Sequence, residues 1–114
     1  MCDCRFNRSK STTTVAGLNI RHEASPNFND RPTECIDTIV LHATVIDDIN
    51  SVINHFKNPA SQVSAHYTID KDGSIVQHVD ITKRAWHAGK SQMADGRENV
   101  NDFSIGIELI NPND

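Results

Sequence analysis

The sequence predicts an α/β domain with a central mixed β-sheet flanked by helices. A β-branched run at residues 38–41 is typical of a buried strand, and an Asp-Gly pair at 72–73 between two alternating stretches is a strong hairpin signal. An apolar stripe with i, i+3, i+4, i+7 spacing follows Asp47-Asp48 and predicts a helix over 47–57. Because the chain has 114 residues, of which 37% are hydrophobic, it can form one domain but not two.

The amino-terminal third of the chain is predicted to lie outside the folded domain. Residues 1–34 are rich in polar residues and proline, which predicts an extended, partly disordered leader, and residues 35–114 form the domain. The amino terminus has no apolar core of a secretory signal, so we expect a cytoplasmic protein. A start site further upstream would instead allow a periplasmic location.

Composition excludes several classes of partner and architecture. The formal net charge of −4, without a basic run, gives no electrostatic footprint for nucleic acid. No apolar stretch is long enough to predict a membrane span. The three cysteines cannot all pair within the chain, which excludes a disulfide scaffold, and we expect free thiols at Cys2, Cys4 and Cys35.

The remaining elements follow from local patterns. Residues 64–79 alternate around the Asp-Gly turn and predict the hairpin, and residues 80–102 lack periodicity and predict a long surface loop. Residues 103–110 predict a strand with one apolar face and one face of small residues beside Glu108. Gly106 on that second face predicts that another group needs room above it.

Three residues are candidates for chemistry on position alone. His42 follows the 38–41 strand, where a sheet edge leaves space for a metal or a nucleophile. Glu108 interrupts an apolar strand, so it is either a solvated edge residue or a carboxylate on the floor of a cleft that handles a proton. Trp86 lies in the 80–102 loop and is either a packing anchor or an aromatic platform for a sugar or peptide.

Four sequence blocks resemble the N-acetylmuramoyl-L-alanine amidases of the AmpD type, which are related to the peptidoglycan recognition proteins. The resemblance covers residues 36–112, and its blocks occur in the family's order: I-V-L-H-A-T at 39–44, V-S-A-H-Y-T-I-D-K-D-G at 63–73, K-R-A-W-H-A-G at 83–89 and N-D-F-S-I-G-I-E-L at 101–109.

The resemblance implies a zinc hydrolase that cleaves the amide between N-acetylmuramic acid and L-alanine in peptidoglycan or muropeptides, during cell-wall degradation or recycling. It implies that His42 is a zinc ligand and that Glu108 serves the attacking water. It also implies that Trp86 and His87 line the substrate groove and that Arg84 contacts the muropeptide. Peptidoglycan fragments are therefore the expected partners.

One departure from the family concerns the metal. The family completes its zinc site with a second histidine and an aspartate or cysteine downstream of the G-I-E-L strand, and this sequence holds one of the three expected ligands. We therefore expect the amino-terminal portion of an amidase, truncated at its C-terminus and inactive alone. The alternatives are a non-catalytic peptidoglycan-binding module and an inactive truncated gene product. Oligomeric state and the choice between anhydro-muropeptide and intact murein stay open.

Overall fold

The computed structural model describes residues 19–44 and 46–110. These residues form one sheet of five strands, a second sheet of two strands and one α-helix. The elements are β1 (Ile20–His22), β2 (Phe28–Asp30), β3 (Thr38–Thr44), α1 (Ile49–Lys57), β4 (Tyr67–Ile69), β5 (Ile75–Gln77), β6 (Lys83–Ala85) and β7 (Ser104–Ile110). The described helix is not long and apolar enough to cross a membrane.

The main sheet is mixed, which confirms the predicted fold class. Its strand order is β1-β5-β4-β7-β3, with β4 and β5 antiparallel and the other neighbours parallel. The β4–β5 hairpin turns at Gly73, whose φ of 90° favours a residue without a side chain. Strand β7, which lies between the edge strand β3 and β4, places Glu108 between His42 of β3 and Thr68 of β4.

Helix α1 covers one end of the main sheet. Asp48 caps the helix by accepting a hydrogen bond from the backbone of Asn50, so the helix begins two residues later than predicted. The buried side chains of the helix all belong to the predicted apolar stripe, whose first member is only partly buried. Two of them, Val52 and Phe56, pack against Ala65 and Ile110. Ile110 and Glu108 are two residues apart on β7, so this packing lies on the same face of the strand that carries Glu108.

The opposite face of the sheet is open within the described part of the chain. Ile39 and Leu41 of the edge strand β3 are 55% and 62% exposed, and Ile107 and Leu109 beside them are half-buried. Alternation along β3 and β7 places these four side chains on the face that does not carry Glu108. No described helix packs against this apolar face.

Three features differ from the sequence predictions. Residues 19–34 of the predicted leader contribute β1, which pairs with β5, and β2, which pairs with β6; residues 1–18 lie outside the described residues. The predicted 80–102 loop contains β6. Cys35 is disulfide-bonded, so the expectation of a free thiol there was wrong, and the other two cysteines lie outside the described residues.

Candidate active site

His42 and Glu108 lie side by side on one face of the main sheet. The parallel register pairs them directly, and neighbouring strands are about 5 Å apart. Both side chains are half-buried, and burial lowers the pKa of His42 and raises the pKa of Glu108. Among residues 19–44 and 46–110, the Glu108 carboxylate has neither a hydrogen bond nor an ion pair, so it is available to a ligand.

A cleft of about 240 Å³ opens beside this pair. Glu108 lies on its wall. The other wall residues come from β3, from α1 and the segment before it, from the segment before β4 and from the W-H-A-G loop: Thr44, Ile46, Val52, His55, Phe56, Val63, Ser64, Trp86 and His87. The wall combines apolar and aromatic side chains with an equal number of polar ones, so a ligand there can make both apolar contacts and hydrogen bonds. Glu108 is therefore not a solvated residue of an edge strand, which was one of the two interpretations of the sequence.

His87 occupies the space above Gly106 that the sequence predicted. Its ring lies so close that a Cβ on Gly106 would fall 2.4 Å from the ring. Its Nδ1 is 3.0 Å from Nε2 of His42, and its Nε2 is 3.0 Å from Oγ of Ser104. Burial lowers the pKa of His87 to about 3, so the ring is neutral near pH 7.

Backbone and side-chain hydrogen bonds fix the W-H-A-G loop. The buried side chain of Asn101 accepts hydrogen bonds from the backbone N–H groups of His87 and Ala88. The indole N–H of Trp86 donates to Oδ1 of Asn29 at 2.8 Å. Trp86 is therefore both held by a hydrogen bond and placed on the cleft wall, and its contact with a ligand stays a prediction.

Two arginines near the cleft are held by other contacts. Arg84 is paired with Asp102 at 2.6 Å and is not on the cleft wall, so its contact with a muropeptide also stays a prediction. Arg31 donates to backbone carbonyls before β6, before β7 and at the first residue of β7: Ile81, Asn101, Asp102 and Ser104. Neither Arg31 nor Asn101 was predicted, because the residues they join are far apart in sequence.

His66 is fully buried beneath the site. Its Nδ1 accepts a hydrogen bond from the backbone N–H of Gly106 at 3.0 Å, so the neutral ring carries its proton on Nε2 and donates it to the carbonyl of Lys83 at 2.9 Å. Burial lowers the pKa of His66 to about 4. The ring therefore links β7 to β6 as a neutral group.

Comparison with known proteins identifies the family of the chain. The family model described as N-acetylmuramoyl-L-alanine amidase matches residues 29–114. The chain belongs to the N-acetylmuramoyl-L-alanine amidase family. It is 67% identical over 48 residues to 1,6-anhydro-N-acetylmuramyl-L-alanine amidase AmpD of Escherichia coli K12, a match that covers 42% of this chain and 26% of that protein. It is 37% identical over 112 residues to AmpD of Haemophilus influenzae, with 82% and 60% covered.

Solved amidase structures share the fold. A selenomethionine AmpD derivative matches with a TM-score of 0.68 and 35% identity, covering 86% of this chain and 63% of that one. The Escherichia coli amidase AmiD, in complex with anhydro-N-acetylmuramic acid-L-Ala-D-gamma-Glu-L-Lys, matches with a TM-score of 0.56 and 34% identity, covering 78% and 33%. The chain thus spans between about a quarter and three-fifths of the two curated relatives described above.

The residues of this amidase domain fit part of a zinc site. The half-buried imidazole of His42 keeps Nδ1 without a hydrogen-bond partner among the described residues, which suits a metal ligand. The described residues contain no group of three or more His, Cys, Asp or Glu side chains that could hold a metal, whereas a catalytic zinc takes three protein ligands. His42 as a zinc ligand therefore stays a prediction.

Gly106→Ala should destabilise the amidase domain by about 1–3 kcal/mol, the usual cost of overpacking, because the new methyl group would overlap the His87 ring. Urea unfolding measures the change. The double variant with His87→Ala should recover much of the loss, since it removes the overlapping ring. Equal losses in the single and double variants would show that another contact limits residue 106.

Acid should destabilise the domain through His66. Between pH 6.5 and about 4, the unfolded chain binds a proton at this histidine and the folded chain does not, so stability falls as the pH falls. The loss is about 3 kcal/mol, at about 1.4 kcal/mol per unit of pKa difference. His66→Gln should flatten the pH dependence of urea unfolding by this amount, and the exposed His22→Gln should not. An unchanged slope in His66→Gln would contradict the prediction.

Proposed function

We propose that proteins carrying this domain hydrolyse the amide between N-acetylmuramic acid and L-alanine in peptidoglycan fragments, in a zinc-dependent reaction of cell-wall degradation or recycling. The in-register placement of His42 and Glu108 beside the cleft is the observation that carries the proposal. Both AmpD relatives are named for a 1,6-anhydro-N-acetylmuramyl compound, which favours an anhydro-muropeptide over intact murein as the substrate.

The roles of the chain's own residues follow from their positions. His42 would supply one ligand to the zinc, which when bound polarises the amide carbonyl and lowers the pKa of water. Glu108, half-buried and unpaired among the described residues, would accept the proton of the attacking water and return it to the leaving amine. The apolar side of the cleft, with Trp86, would hold the muropeptide and exclude bulk water.

The test of this function uses a chimera of family length. The full 114-residue chain is fused to the portion of the Haemophilus influenzae relative that follows its matched region. This portion is chosen because the match leaves part of that protein, 60% of which is covered, without a counterpart in the chain. The chimera, incubated with an anhydro-muropeptide, should release free anhydro-N-acetylmuramic acid and the stem peptide, detected by mass spectrometry. Intact substrate in the presence of Zn²⁺ would contradict the proposal.

A second candidate function is a module that binds muropeptides without cleaving them. Two observations favour this module. The described residues form a cleft that could hold a ligand, and they contain no group of three side chains that could bind a metal. Titration of the 114-residue chain with an anhydro-muropeptide separates the candidates. Binding without cleavage by both the chain and the chimera would favour the module.

Trp86→Ala should weaken muropeptide binding about tenfold or more, since aromatic residues on a cleft wall carry much of a binding energy. It should destabilise the domain by less than the roughly 3–5 kcal/mol that loss of a core aromatic costs. Calorimetric titration and thermal melts measure the two effects. Trp86→Phe keeps a ring and serves as the matched control; a large melting shift with unchanged affinity would make Trp86 a packing anchor.

A further inference from the structure

Trp86 on the cleft wall is held by hydrogen bonds at both its backbone and its indole. Its backbone N–H donates to Oγ of Ser64 at 3.0 Å, and its carbonyl accepts from the backbone N–H of Ser64 at 2.9 Å. Ser64 is buried, and its hydroxyl donates to the carbonyl of Asn27 at 2.6 Å. The indole N–H donates to Oδ1 of Asn29 at 2.8 Å. Because both ends of the residue are held, the ring has little freedom to turn about its two side-chain torsions.

The strand that supplies Asn29 pairs with the strand that leads to Trp86. In the antiparallel register of β2 with β6, Asn29 lies directly opposite Arg84. Trp86 comes two residues after Arg84, a spacing that places two side chains on one face of an extended chain. Both side chains do reach the same oxygen of Asn29. The pairing of β2 with β6 therefore brings an acceptor from the amino-terminal part of the chain to the cleft wall.

A second hydrogen bond fixes the carboxamide of Asn29. Nη1 of Arg84 donates to Oδ1 of Asn29 at 3.3 Å, while Nε of Arg84 donates to Asp102 at 2.6 Å. The ion pair is largely shielded from water, since the two side chains are 21% and 26% exposed. Two N–H donors at one position require the carboxamide oxygen there, because its NH₂ group cannot accept either bond. The acceptor of the indole is therefore itself held in place.

We infer that Asn29 is a positioning residue, whose carboxamide oxygen holds the indole of Trp86 as a preformed wall of the cleft. The inference rests on the proposed function, because it concerns how the same cleft takes a muropeptide. Ordering a mobile side chain on binding costs affinity, so a ring that is ordered in advance strengthens binding. Arg84 has an indirect part in this arrangement, through the oxygen of Asn29.

NMR of the ligand-free 114-residue chain tests the hold on the ring. Trp86 is the only tryptophan, so the indole N–H gives one unambiguous signal. Its order parameter should be near the value of a rigid backbone, about 0.85. Asn29→Leu keeps the size of the side chain but not the acceptor, and should lower the order parameter to about 0.6 or less. Asn29→Asp keeps an oxygen acceptor and should restore it, which excludes misfolding as the cause of the loss.

Asn50→Leu is the matched control for this measurement. Asn50 is exposed on α1 and does not lie on the cleft wall, so its substitution should leave the indole signal unchanged. A mobile indole in the unsubstituted chain would overturn the inference. An indole that stays equally rigid in Asn29→Leu would overturn it as well.

Calorimetric titration of the chimera with an anhydro-muropeptide gives the second measurement. Asn29→Leu should weaken binding about three- to tenfold, the range that corresponds to one hydrogen bond. Turnover at saturating substrate should stay nearly unchanged, because Asn29 contacts the ring and not the reacting amide. In the Trp86→Phe background, which keeps a ring but has no N–H to donate, Asn29→Leu should have no further effect. An equal loss in both backgrounds would show that Asn29 does not act through the indole, and would overturn the inference.

The outcomes separate the inference from the proposed function. Binding and cleavage that Asn29→Leu leaves unchanged would overturn the positioning role and leave the proposed function intact. A chimera that binds no anhydro-muropeptide would contradict the proposed function, and the order parameter of the indole would still decide whether Asn29 holds the ring.

Discussion

We expect Glu108→Gln to lower the turnover of the chimera by about 100-fold or more while muropeptide affinity stays nearly unchanged. Glutamine has the shape of glutamate but cannot accept a proton from water. Burial raises the pKa of Glu108 above its ordinary value of 4.5, which brings the carboxylate closer to the working range of a general base.

Steady-state cleavage of an anhydro-muropeptide and calorimetric titration measure the two effects. Glu98→Gln is the matched control, because Glu98 is exposed and lies outside the cleft beside Glu108, so its activity should equal that of the unsubstituted chimera. Full activity in Glu108→Gln would remove Glu108 from the reaction. Equal losses of binding and turnover would assign it to holding the substrate.

The elements that the sequence predicted are those with a local signal. Helix α1 has its apolar stripe, the β4–β5 hairpin has its Asp-Gly turn, and β7 has seven alternating residues. β1, β2 and β6 have three residues each, too few for a period to show. β1 pairs with β5, and the paired residues Ile20 and Ile75 are 55 positions apart. The formation of β1 therefore depends on the free edge of β5, which no local sequence pattern indicates.

The candidate site also has some features that the sequence predicted and others that it could not. His42 was a candidate because it follows a predicted strand, and Glu108 because it interrupts one. The register of β3 with β7 places the two side by side. The need for space above Gly106 was also predicted, and His87 fills it. The contact of His87 with Ser104 could not be predicted, since it depends on how a long loop returns to the sheet.

The contacts that hold the loop were missed for a related reason. Asn101 and Arg31 act through backbone groups of distant segments, and any residue can supply a backbone carbonyl or N–H. The amino-acid type of the partner residue therefore gives no indication of such a contact. The small residue at Ser104, on the same face of β7 as Glu108, was the one available signal of a buried polar contact.

We expect the 114-residue polypeptide to bind Zn²⁺ about 100-fold or more weakly than the chimera and to show no amidase activity. The described residues offer His42, next to His87, but no group of three donors, and each missing ligand removes both a bond to the metal and part of the preorganised geometry. Equilibrium dialysis with zinc and the muropeptide cleavage assay measure both quantities in parallel. His42→Ala in the chimera should reduce binding and activity to the level of the polypeptide. A tight, stoichiometric zinc site with turnover in the polypeptide itself would show that His66 or His87, assigned here to hydrogen bonds within the fold, serves as a ligand.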